Sequence, residues 1–148
     1  QLTMLKLITP VTIDGNRLYE ITNAGKKILG NKISHRGRGG LEHRYYVEKI
    51  KTHFINNDGF TFIEKDDMDL VVENIEKKMA IQVETGKSDM QANLYKLGRY
   101  KADKKYMVTT NKETEIKIKE LLADLIIPDK ENIQVCYVKD FLKNPPGI

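Results

Sequence analysis

Three strand-forming segments follow one another closely: FTFIEK from Phe60, DLVVE from Asp69 and MAIQVET from Met79. Their β-branched and aromatic content marks each as a strand, and the polar NIEKK between the second and third predicts an antiparallel hairpin. Upstream, LEHRYYVEKIKTHFINN carries His43, Tyr46, Val47, Ile50 and Phe54 on one helical face and stops at Asn57-Asp58-Gly59. Downstream, Ser88 and Gln91 form an S-x-x-Q capping box that opens a helix over 88–103 through Met90, Leu94 and Leu97. Then come KYMVTT as a strand, ETEIKIKELLADLI as a helix ended by Pro128, IQVCYV as a strand and KDFLK as a closing helical turn. From Leu41 the order is αβββαβ followed by αβ, which predicts an α/β domain with a central mixed sheet flanked by helices.

That domain fills 41–148 of a 148-residue chain that is 40% hydrophobic, enough for one substantial core and a small appendage. The appendage has its own pattern. VTIDGNRLYEIT alternates around Asp-Gly-Asn, the residue types of a tight hairpin turn, and Thr22 caps a short helix, NAGKKIL. Tyr19, Thr22, Gly25 and Ile28 together resemble the wing and following helix of winged-helix proteins. Residues 1–30 therefore read as the tail of a winged-helix domain, or as a hairpin decorating the main domain.

No apolar run approaches the roughly 18 residues of a membrane span, and QLTMLKLITP lacks the layout of a secretory signal. The single cysteine, Cys136, sits in a strand pattern, which excludes an intramolecular disulfide and predicts a buried, inert thiol. A cytoplasmic location is the expectation. Net charge is +4, with a basic segment over 26–44 preceding an acidic one over 58–76. The linker at 31–40 is basic and glycine-rich. His35, Arg36 and Arg38 in it, with Arg44 just beyond, are candidate contacts to DNA phosphates; a plain solvated linker has the same composition.

AIQVETGKSD, from Ala80 to Asp89, bears on chemistry. Side chains alternate along a strand, so Gln82 and Glu84 share a polar face while Ile81 and Val83 point to the core. Mg²⁺ takes hard oxygen ligands, commonly one or two carboxylates with water and substrate phosphate, and Asp69 with Glu84 can supply them. A half-buried strand with one solvent face shows the same alternation without any metal.

The element order together with these acids resembles the PD-(D/E)XK, or restriction-endonuclease-like, nuclease superfamily over 41–138. The resemblance implies that Asp69 is the second-strand acid, that Gln82-Val83-Glu84 is the third-strand motif, and that Glu42 is the assisting acid of the first helix. It also implies Mg²⁺ or Mn²⁺ as cofactor, DNA as partner, a DNA-translocating ATPase or helicase as a further partner, and homodimerisation as one mode of action.

The chain departs from the pattern in two places. Gln82 stands where an acid belongs, and Glu84 where a lysine belongs; in a second register Glu84 is the acid, Gly86 fills the lysine position and Lys87 is displaced by one. Gln91 and Tyr95 match the Gln-x-x-x-Tyr signature of some helicase-linked members, although the capping box already accounts for Gln91. His43, central on an apolar helix face, reads as a core histidine. The expected function is metal-dependent DNA phosphodiester hydrolysis, the alternative an inactive nuclease-like fold that binds DNA or protein.

Overall fold

A computed structural model describes residues 7–29, 39–55 and 59–148, and the chain divides into two compact units, Gln1–Gly37 and Arg38–Ile148. The division falls inside the predicted linker. His35, Arg36 and Arg38 lie outside the described residues.

In the first unit β1 (Ile8–Ile13) and β2 (Asn16–Ile21) pair antiparallel, with Ile13 opposite Asn16. Asp14 and Gly15 thus form a two-residue turn, both at positive φ (52° and 75°), a conformation for which Asp-Gly is well suited. The Thr22 hydroxyl accepts the Gly25 N–H at 3.1 Å and caps α1 (Asn23–Leu29), as expected. Gly25 has a steric reason: a Cβ there would collide with the Leu7 carbonyl oxygen.

The second unit contains α2 (Leu41–Ile55), β3 (Phe60–Ile63), β4 (Leu70–Glu73), β5 (Lys78–Glu84), α3 (Met90–Arg99), β6 (Lys104–Thr109), α4 (Lys112–Asp124), β7 (Ile133–Tyr137) and α5 (Val138–Lys143). Its sheet runs β3-β4-β5-β6-β7. The first three strands form an antiparallel meander, while β6 and β7 run parallel to β5, each after a helical crossover. The α/β class, the mixed sheet and the flanking helices are those the pattern predicts.

Both faces of the sheet's centre are covered. On one, Val71, Ala80 and Met107 pack with Leu94 and Leu97 of α3 and Ile118 of α4. The other face carries Leu70, Ile81 and Tyr106 in register. There Phe141 of α5 meets Tyr106 and Phe54 of α2 edge-on, at ring-centroid distances of 5.5 and 6.3 Å. Tyr46, Val47, Ile50 and Phe54 form the buried face of α2.

This two-sided cover corrects the expectation for β5. Gln82 and Glu84 do not face solvent; they are 4% and 1% exposed, in register with Met107 and Thr109 on the α3–α4 side. β5 is the central strand, antiparallel to β4 and parallel to β6, so these residues lie mid-sheet, and helices on both faces bury it continuously. The helix after β5 is also shorter than predicted, with Asp89 rather than Ser88 at its N-cap; the Asp89 carboxylate accepts the Ala92 N–H at 3.0 Å.

Candidate functional site

Leu70 pairs with Ile81, which brings Asp69, one residue before β4, beside Gln82. Side chains continue the ladder there. The Asp69 backbone N–H donates to Gln82 Oε1 at 3.0 Å, and Asp69 Oδ2 accepts the Val83 N–H at 2.8 Å. The same Oδ2 lies 3.0 Å from His43 Nε2 of α2, both side chains being largely buried at 15% and 14% exposure. Oδ1 of Asp69 receives no hydrogen bond from the described residues.

His43 is therefore not a plain core histidine. It is held from behind by Gly39, at φ 79°, where a Cβ would come within 2.7 Å of the imidazole. The helix acid of the sequence reading, Glu42, is the residue before His43, and it is His43 that makes the contact from α2 to Asp69. Arg44 turns back on its own helix start, donating from Nη1 to the Gly39 carbonyl at 2.9 Å. Asp69 itself follows a turn at 64–67 in which Glu64, Asp66 and Asp67 hold positive φ of 55°, 53° and 66°. Non-glycine residues pay about 1–2 kcal/mol each for that conformation, less for Asp.

Glu84 forms a second cluster. Oε1 accepts the Gly86 N–H at 3.0 Å, Oε2 accepts from Asn93 Nδ2 at 2.8 Å, and the Ser88 hydroxyl lies 2.9 Å from both oxygens. Asn93 also reaches Ser88 Oγ at 3.0 Å. Three donor groups thus serve the four acceptor directions of one buried carboxylate. Gly86, at φ 87°, completes the turn against α4, since a Cβ would sit 2.6 Å from Thr114 Oγ1. This clamp explains the displaced cap: the Ser88 hydroxyl is spent on Glu84. Lys87 projects to solvent without a hydrogen bond or ion pair to the described residues.

Gln91 is exposed and free of the predicted capping box, while Tyr95, one turn on, lies with the Arg99 guanidinium 5.9 Å from its ring centroid. Cys136 is half-buried rather than buried as expected, and its thiol is pushed up to about 12, first by burial and then by the negative charges of Glu115 and Asp140, so it stays protonated.

Among the described residues no group of three or more His, Cys, Asp or Glu side chains is placed to hold a metal ion. Asp69, with one open carboxylate oxygen, suits a Mg²⁺ ion that takes its remaining ligands from water and substrate phosphate. Glu84 does not fit the same role, because an ion would have to displace Ser88 or Asn93. Sequence reasoning missed His43, Ser88 and Asn93; the first was masked by helical periodicity and the second by its resemblance to a cap. No protein-family model, curated protein or solved structure matches the chain.

Proposed function

We propose that the second unit is a metal-dependent deoxyribonuclease domain of a DNA-processing protein, with a PD-(D/E)XK-like core, and that residues 1–30 are the tail of a winged-helix domain. One observation carries the reading: the acid before β4 is fastened by backbone and side chain to the Gln82-Val83 pair of β5, the pairing of second-strand acid and third-strand motif that such a site requires. The order α2-β3-β4-β5-α3-β6, with β6 parallel to β5, supports it. Asp69 Oδ1 would hold the Mg²⁺ or Mn²⁺ ion, His43 and the Val83 N–H fix the carboxylate through Oδ2, and Gln82 fixes the Asp69 backbone. When bound, the ion supplies Lewis-acid activation of a phosphodiester and its attacking water. The Glu84 clamp shapes the turn that presents Lys87.

A second reading, a nuclease-like fold that only binds DNA or a partner protein, is favoured by the saturation of Glu84. Asp69→Asn separates the two. Under the nuclease reading it abolishes cleavage of single-stranded, duplex and branched DNA in Mg²⁺ or Mn²⁺ and leaves binding in chelator intact. No cleavage by the unaltered chain on any of these substrates with either metal would favour the binding module.

A further inference from the structure

We propose a DNA-contacting surface separate from the Asp69 site: a track for single-stranded DNA running from the exposed side of β3 to the C-terminal turn of α3. Phe60 and Phe62 project from the same side of this edge strand, 73% and 39% exposed, where burial would be the ordinary fate of phenylalanine. From Phe62 the contacts run on without a gap. Lys65 Nζ lies 4.2 Å from the Phe62 ring centroid and 2.8 Å from Glu73 Oε1; Lys78 Nζ lies 3.6 Å from Glu73 Oε2 and 5.7 Å from the Tyr100 ring. Arg99, next to Tyr100, lies over Tyr95. Tyr95 and Tyr100 are half-buried against the core, which leaves Phe60 and Phe62 as the open rings of the track.

The charge is unequal along the track: its β3 end lies in the acidic 58–76 segment, and the excess of cations is at the α3 end. Glu73 is shared by two lysines, Asp66 accepts from the Tyr100 hydroxyl at 3.2 Å, and Asp103 accepts the Lys78 backbone N–H at 2.7 Å. Lys96, Arg99 and Lys101 are exposed and have no acidic partner among the described residues. Exposed Phe60 and Phe62 rings followed along the surface by the uncompensated Lys96, Arg99 and Lys101 suit a single strand, whose unstacked bases lie on the two phenylalanines while its phosphates meet those cations. Duplex DNA keeps its bases stacked and cannot use the rings. A second copy docking here about a two-fold axis would bring the same excess cations together. Lys78 and Glu84 sit six residues apart on β5, about 20 Å, so much of the track lies at the opposite end of the strand from the Glu84 clamp. It is linked to Asp69 through the Glu64 N–H, which donates to the Asp69 carbonyl at 3.1 Å.

The test is fluorescence anisotropy of labelled oligo(dT) with the full chain in chelator, across a salt series, with circular dichroism to check that variants fold. The unaltered chain should prefer oligo(dT) to duplex of equal length. Phe60→Ala and Phe62→Ala should each weaken binding about tenfold, and combined replacement of Lys96, Arg99 and Lys101 by Ala should lower the salt slope by about two units. Oligo(dT) binding in chelator is read apart from cleavage with metal, so loss of the track and loss of the nuclease reading are separable. Folded variants with unaltered affinity and slope would overturn the proposal, as would light scattering in which the Phe variants dissolve a dimer while DNA binding persists.

Discussion

His43 Nε2 and Asp69 Oδ2 stand 3.0 Å apart, joining the first helix of the second unit to the acid that precedes its second strand. The contact consumes one carboxylate oxygen and leaves the other open, so His43 orients Asp69 without covering it. Replacing His43 by Ala removes a donor from a mostly buried carboxylate. The expected loss is about 1.5–3 kcal/mol of unfolding free energy, read by urea denaturation. His43→Gln, which keeps an N–H donor, should recover part of it, and equal losses in the two variants would show that the contact contributes nothing.

Glu84 is predicted to act through its three donors. Ser88→Ala and Asn93→Ala should each cost about 1–2 kcal/mol, and the double variant should differ from the sum because the two side chains bond each other as well as Glu84. Strict additivity in a double-mutant cycle would argue against one shared network.

Gln82→Glu puts a second carboxylate, largely buried, beside Asp69. Without metal the variant should be destabilised by about 1–3 kcal/mol through like-charge repulsion and desolvation. Mn²⁺ should then raise its melting temperature more than it raises that of the unaltered chain. Equal Mn²⁺ responses would place any ion elsewhere.

Gly86→Ala is expected to cost about 1–3 kcal/mol, because φ 87° strains an L-residue and the new methyl meets Thr114 Oγ1. Adding Thr114→Ala should relieve the clash but not the backbone strain, so recovery should be partial. Thermal melts of the single and double variants decide it.

Acid should weaken the fold partly through α4. The Glu115 carboxyl is held below its ordinary value of 4.5, chiefly by its hydrogen bond from Lys119 and against the opposing effect of burial, with Lys112 adding to the lowering. A depressed carboxyl stabilises the fold above its unfolded value, and that contribution disappears as pH falls below about 4.5 through the lowered folded value. Glu115→Gln should flatten the stability–pH curve in that window alone; an unchanged curve would assign the acid sensitivity to other groups.

Much of the architecture was legible in order and period alone. The Asp14-Gly15 turn, the Thr22 cap, the buried stripe of α2 and the strand–strand–strand–helix–strand order are local. Their signals are a positive-φ dipeptide, a capping hydroxyl, a helical repeat and short β-branched runs, each acting within a few residues. What lies on both sides of a strand is not local. AIQVETGKSD reads equally well as a strand with a solvent face, and only the packing of α3 and α4 decides that Gln82 and Glu84 are buried. Burial in turn settles the side chains around them. A carboxylate removed from water must collect donors, so Glu84 takes the Ser88 hydroxyl and the helix cap passes to Asp89, two outcomes that local propensity ranks alike. Likewise His43 looks apolar-facing from its spacing, and becomes the partner of Asp69 only because the β4–β5 register sets that acid beneath the first turn of α2. Secondary structure here follows from short-range sterics and periodicity; the site follows from desolvation and register, which exist only once the sheet has closed.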